Sequence, residues 1–174
     1  MNFTAFDLET TGLSPESSEV VEFAAVRVRG GELDLNLASL CRPLHGISYG
    51  AMRVNGITYD MVADKPTFAE LLPSLLSFFG DDTIVCHNAP FDMSFLMSYC
   101  RKAGVSYSPK IQDTLQMARR LLPGLPSRSL EPLAAHLNVR SDGYHRALAD
   151  ATVTAKVYLK LMELDIAADR TDIQ

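Results

Sequence analysis

Residues 3–14 read FTAFDLETTGLS and set two acids, Asp7 and Glu9, at the end of the chain's most apolar opening run. The run reads as a strand, and side chains two apart on a strand share a face. Asp7 and Glu9 therefore point the same way, about 7 Å apart along the strand. Two carboxylates converging on one face repel unless a cation lies between them or one of them takes a proton. Thr10, Thr11 and Gly12 follow at once and end the strand where a loop can admit a ligand. The plainer alternative is a strand that leaves the core at this point, with both acids solvated.

Two further acids weigh against that alternative. Pro90 suits the first turn of a helix over about residues 90–103. On that helix Asp92 lies three, four and seven residues before Phe95, Leu96 and Tyr99, on the apolar stripe rather than the wet face. Asp150 stands in the same relation to Val153, Thr154 and Val157 on a last helix, about 146–164. Burying an unpaired carboxylate costs several kcal/mol or forces it to protonate, and neither helix offers an obvious basic residue on that face. Each aspartate alone is explained by the favourable field of a helix N-terminus. All three elements together are explained more economically by a metal site. Four oxygen ligands without cysteine favour magnesium or manganese over structural zinc. Two such ions about 3.5–4 Å apart activate a water and stabilise the leaving oxygen in phosphodiester cleavage.

His145 precedes Asp150 by five residues, about 140° round a helix, so the two cannot share a helical face. Gly143 and Tyr144 place it instead in the loop entering the last helix, where a neutral imidazole can take a proton from an attacking water. A surface or loop-satisfying histidine is the alternative.

The remaining pattern predicts one α/β domain over residues 1–167, with a frayed tail over 168–174. Residues 19–30 and 31–43 alternate as strands, and Gly30-Gly31 between them signals a tight hairpin. Three early strands followed by helices suggest a mixed sheet. Residues 44–66 read as turns with a short helix near Tyr59–Ala63. Thr67 and Glu70 form a capping box before a helix whose Phe68, Leu71, Leu72, Leu75, Leu76 and Phe79 recur at helical spacing. TIVCH (83–87) reads as a buried strand, a further short strand precedes Asp113, and a helix then runs to about Leu121. Ser129 is placed to cap a helix through Leu137.

The 174 residues carry 16 lysines and arginines against 21 acids, a net charge of −5, so no basic composition announces a nucleic-acid binder. Two divalent cations would neutralise most of that charge, and an enzyme touching one strand end needs few phosphate contacts. Cys41, Cys86 and Cys100 are odd in number and widely spaced, which suggests reduced core thiols rather than a disulfide framework or zinc knot. No signal peptide and no apolar run of membrane-spanning length is visible, which points to a cytoplasmic protein without a membrane partner.

FDLETTG (6–12), HNAPFD (87–92) and HRALAD (145–150) resemble, in order, the three motifs of the DEDDh 3′–5′ exonucleases, the group of the bacterial DNA polymerase III proofreading subunit. The resemblance covers nearly the whole chain. It implies a ribonuclease H-like fold, a five-stranded mixed sheet flanked by helices. It also implies Asp7, Glu9, Asp92 and Asp150 as ligands of two divalent cations, Mg²⁺ or Mn²⁺, and His145 as general base. A sister class carries tyrosine four residues before the last aspartate; here that position is Arg146, which favours the histidine class. By the same resemblance Thr10 and Leu13 align with the turn contacting the terminal nucleotide, Leu13 as an apolar wedge, though an ordinary core-edge leucine is the alternative. Asn88 aligns with a polar residue near the substrate, or serves as a turn or cap residue. Phe91 stacks on a base or packs in the core. His87 is read as structural, and Asp113 as a strand-end cap.

The implied activity is hydrolysis of the 3′-terminal phosphodiester of single-stranded or frayed DNA, releasing 5′-nucleoside monophosphates. A replicative polymerase is the implied partner. DLETTGL resembles the proofreading branch more than the oligoribonuclease branch, where methionine usually follows the glutamate. An exoribonuclease, a catalytically silent nucleic-acid or polymerase accessory module, and a phosphodiesterase of small nucleotides are the competing readings.

Overall fold

The computed structural model describes residues 1–171. Strands β1 (Phe3–Thr10), β2 (Val20–Arg29) and β3 (Glu32–Leu40) form an antiparallel meander. Gly30 and Gly31, both at positive φ, make the tight turn between β2 and β3 that most side chains would resist. Strands β4 (Ile84–Cys86) and β5 (Ile111–Asp113) add to the other side of β1 in parallel, giving the order β3-β2-β1-β4-β5. The sheet is the expected five-stranded mixed one, with β1 at its centre.

Helices α1 (Tyr49–Asn55), α2 (Tyr59–Val62) and α3 (Phe68–Phe79) lie between β3 and β4. Helix α4 (Ala89–Lys102) joins β4 to β5. Helices α5 (Thr114–Leu121), α6 (Leu130–His136) and α7 (Ala147–Thr171) follow. Thr67 and Glu70 make the capping box of α3 as predicted, the Glu70 carboxylate accepting from the Thr67 N–H at 2.7 Å. Ser129 occupies the N-cap of α6, but its hydroxyl makes no cap bond.

Alternation along β1 divides the core between the two sheet faces. Phe6 and Leu8 pack with Phe68, Leu72 and Leu75 of α3 and with Phe95 and Leu96 of α4. Phe3 and Ala5, on the opposite face, pack with Ala147, Ala151 and Val157 of α7. The three cysteines are buried and free.

Two elements differ from the sequence reading. Helix α7 continues to Thr171 instead of ending near residue 164, because ELDIAADR keeps helix formers in register and Asp165 pairs with Arg120 of α5 through two bonds of 2.7 and 2.9 Å. Of the expected frayed tail, residues 168–171 belong to this helix, and 172–174 lie outside the described residues. Helix α1 was not foreseen. It starts on Ser48, whose hydroxyl accepts from Ala51 N–H at 3.2 Å, and stops at Gly56, whose left-handed backbone donates to Met52.

Candidate active site

Asp7 and Glu9 extend the face of β1 that Phe3 and Ala5 bury under α7. Residue 7 therefore emerges where α7 begins, and the first turn of that helix carries Asp150, 8% exposed. Carboxylate oxygens of Asp7, Glu9 and Asp150 lie within 4.8 Å of one another. Three elements deliver three like charges to one point.

Asp92 approaches the same strand from α4. It is 3% exposed, and its Oδ1 accepts from the Leu8 N–H at 3.0 Å. Strand β4 pairs with β1 only at Thr4 and Ala5. Beyond them, the Asp92 carboxylate takes the backbone donor that a longer neighbouring strand would have taken. Asp92 stands outside the group of three defined by the 4.8 Å separation. Its charge is nevertheless the largest electrostatic influence on Asp7.

The acids titrate accordingly. Burial, then repulsion by Asp92, Asp150 and Glu9, pushes Asp7 well above the usual carboxylate range. Burial, with Asp150 and Glu22 behind it, raises Glu9 to about 7, against the pull of Arg146. Burial raises Asp150, although the His145 N–H on its Oδ2 at 2.9 Å opposes the shift. Burial likewise raises Asp92 against the Leu8 hydrogen bond.

Asp150 Oδ1 is buried and has no hydrogen-bond partner among the described residues. A desolvated carboxylate oxygen without a donor is costly, and it belongs to the group whose members repel one another. The donors are all hard oxygens, without thiolate or imidazole among the clustered three. The residues fit a hard divalent cation.

His145 lies on the turn before α7, exposed and with φ +61, as its spacing from Asp150 required. The other predicted residues fall into two groups. Thr10, Leu13 and Phe91 line one recess with Glu9, to which Ala51 and Val54 of α1 also contribute. Thr10 Oγ1 donates to the Gly12 carbonyl at 2.6 Å and shapes the loop that carries Leu13. Leu13 is 86% exposed, so it is no core-edge leucine. Phe91 is half-buried against Phe95, with ring centroids 5.2 Å apart, and still borders the recess. Asn88 lies apart from this recess at the N-cap of α4, left-handed and exposed, and its N–H donates to Asp113 at 3.0 Å. The same Asp113 carboxylate caps α5 through Leu115 N–H at 2.9 Å, and the His87 ring meets the Thr114 hydroxyl at 2.9 Å. Both act as fasteners between β4, β5 and the helices that follow.

Sequence reasoning missed two participants. One is α1, whose cap residues Ser48 and Gly56 were the available signal. The other is Glu22 on β2, directly opposite Glu9 and 7% exposed. Its signal was an acid inside VVEFAAV (20–26), the same anomaly that exposed Asp92.

An RNase T-type family model described as exonuclease matches residues 4–158. The chain belongs to the exonuclease family. It is 38% identical over 162 residues to the DNA polymerase III subunit epsilon of Aquifex aeolicus, covering 92% of this chain and 80% of that protein. It is 40% identical over 162 residues to the PolC-type DNA polymerase III of Oceanobacillus iheyensis, of which it spans only 11%. Among solved structures, exonuclease X in complex with 5′-overhanging duplex DNA superposes with a TM-score of 0.77 at 31% identity, over 92% of this chain and 91% of that one. Exonuclease I, at 23% identity, shares the fold with a TM-score of 0.81, over 93% of this chain and 40% of that one. The architecture is thus the ribonuclease H-like fold of these nucleases. Among the described residues, no helix is long and apolar enough to cross a membrane.

Proposed function

We propose that this exonuclease removes nucleotides one at a time from the 3′ end of single-stranded or frayed DNA, releasing 5′-nucleoside monophosphates. The observation that carries the reading is the convergence of Asp7, Glu9 and Asp150, with Asp92 held against the same strand. These four are assigned as the holders of two divalent cations, Mg²⁺ or Mn²⁺. Bound there, the cations supply Lewis-acid activation of water and compensation of phosphodiester charge.

The chain's own residues do the rest. The left-handed turn at His145 carries the imidazole on an exposed loop beside the carboxylates, where a ring nitrogen takes the proton of the attacking water. The water oxygen joins phosphorus, the bond to the 3′ oxygen of the penultimate nucleotide breaks, and that oxygen ends protonated. Leu13 and Phe91 offer apolar surface to the terminal base, which suits sequence-tolerant binding. Thr10 holds the loop that presents Leu13, and Asn88 is assigned to the substrate's polar margin. The unit that acts is assigned to residues 1–167.

DNA is favoured over RNA because the relatives are named as DNA polymerase III proteins and the similar solved nuclease holds a 5′-overhanging duplex, whose 3′ end is recessed. The same relatives make a replicative polymerase the proposed partner, in the cytoplasm.

The test uses 5′-labelled single-stranded DNA and RNA of one sequence, with Mg²⁺, Mn²⁺ or EDTA. Stepwise shortening of DNA in either metal, release of 5′-monophosphates, and no product in EDTA or from Asp7→Ala are expected. A strong preference for RNA would reverse the substrate assignment. Failure to shorten any 3′ end in Mn²⁺ would leave an accessory module as the better reading.

A further inference from the structure

Glu22 is a carboxylate that the proposed reaction does not use. It is buried on β2, directly across from Glu9, in a neighbourhood already crowded with negative charge. A fifth acid there would be costly unless paired, and it is paired. Arg146 Nε lies 3.0 Å from Glu22 Oε2, and Arg146 Nη2 lies 2.9 Å from Oε1, a two-point clamp. Glu22 Oε2 also accepts the Ala147 N–H at 3.0 Å, satisfying an amide that the first turn of α7 leaves free. Both carboxylate oxygens are thereby engaged at the start of the helix.

The clamped residue follows His145 directly. The His145 N–H is held by Asp150, and the Ala147 N–H by Glu22. Between these two fixed amides the Arg146 side chain is anchored to the sheet. A non-glycine residue at φ +61 persists only where its surroundings over-determine it. The surroundings here are these three attachments, and only one of them, Arg146 to Glu22, ties the His145 turn to the sheet through a side chain on each partner.

We infer that the Glu22–Arg146 pair is a positioning device, which fixes the turn that aims the His145 side chain at the reacting water. The inference rests on the proton-transfer role given to His145 in the proposed function. Arg146 acts through its neighbour and need not touch substrate. Its side chain is 48% exposed, but truncating it also takes the cation from the buried Glu22 carboxylate, so Arg146→Ala loosens the turn at some cost in stability, and Arg146→Lys keeps the charge. Misplacing a catalytic group by about an ångström costs roughly 100-fold in rate.

The experiment measures kcat and KM on single-stranded DNA for wild type, Arg146→Ala, Arg146→Lys, His145→Ala and the His145→Ala/Arg146→Ala double variant, with thermal unfolding of each. Arg146→Ala is expected to lose roughly 10- to 100-fold in kcat with KM within about threefold, and Arg146→Lys to recover part of the loss. Added guanidinium at low millimolar concentration should restore part of the Arg146→Ala rate. Once His145 is gone the arginine has nothing to aim, so the double variant should be no slower than His145→Ala. A kcat for Arg146→Ala within twofold of wild type would overturn the inference, as would losses that multiply in the double variant. Should Arg146→Ala unfold, Arg146→Lys alone decides: an unchanged kcat overturns the inference, and a reduced kcat at unchanged melting temperature supports it. An inactive wild type overturns the parent function instead. An active wild type with an inactive Asp7→Ala isolates any failure to the positioning pair.

Discussion

Glu9→Gln is the substitution through which the electrostatics of the cluster can be weighed. Burial and the neighbouring acids raise Glu9 from an ordinary 4.5 to about 7. The folded protein therefore holds its proton more tightly than the unfolded chain does, and the sign follows. Below about pH 4.5 the side chain is protonated in both states and costs nothing. Between about pH 4.5 and 7 the unfolded chain gives up the proton first, so folding loses stability as pH rises. Above about pH 7 the loss is complete. A shift from 4.5 to about 7 corresponds to roughly 3 kcal/mol, discounted to about 2 kcal/mol for the solvent that still reaches this partly exposed group. Glutamine has the shape of the protonated acid and does not ionise. In EDTA, Glu9→Gln should match wild type near pH 4.5 and exceed it by about 2 kcal/mol at pH 8. For a domain of this size that is an increase of about 4–8 °C in melting temperature. Urea denaturation of the two proteins from pH 4.5 to 8, compared as a difference at each pH, cancels the titrating groups that Glu9 does not influence and retains Glu9 with the acids it repels, Asp7 and Asp92. A difference that stays flat across this range would refute the reasoning, because Glu9 would then be an ordinary solvated carboxylate. Millimolar Mn²⁺ should shrink the difference at pH 8, since a cation restores to wild type what the neutral side chain gives the variant.

Three further outcomes follow from the same geometry. His145→Ala should lower kcat by about 10²–10⁴-fold while moving the melting temperature little, because the ring is exposed; steady-state kinetics with calorimetry checks both. Asp92→Ala should leave the buried Leu8 N–H without an acceptor and cost about 1–3 kcal/mol in EDTA. Asp92→Asn, which retains Oδ1 and drops the charge, should be no less stable than wild type, with both variants inactive in the nuclease assay. Leu13→Ala should leave stability unchanged, since the side chain makes no core contact, and raise KM for single-stranded DNA by about tenfold if the terminal base buries that surface.

The parts of this molecule that sequence alone revealed are those where a residue contradicts its surroundings. An aspartate on an apolar helix stripe has few physical explanations, and Asp92 and Asp150 are buried as their offsets demanded. Strand order was beyond reach of periodicity, because the apolar period locates a strand but says nothing of its neighbour; the resemblance implied a five-stranded mixed sheet, and the order came only with the structure. Helix α1 escaped because Tyr49, Gly50 and Val54 present no buried stripe, and only its caps mark it. Glu22 escaped for a subtler reason. The acid was visible, but its partner stands 124 residues away in Arg146, and no local pattern joins a strand to the turn before a distant helix.

The location of the carboxylates explains how such an unfavourable group can be built at all. Asp7 and Glu9 ride on β1, the central strand, paired on one side along its length and on the other at Thr4 and Ala5. The repulsion is thus imposed on the element least able to move away from it. The two aspartates arrive on the first turns of α4 and α7, where unsatisfied amides favour negative charge, and each spends one oxygen on a nearby N–H. Those bonds hold the side chains in place but leave the net repulsion uncancelled, as the raised affinity of all four acids for protons shows. A rigid strand that fixes the charges, and helix starts that tolerate them, together make a site that a proton relieves partly and a divalent cation relieves best.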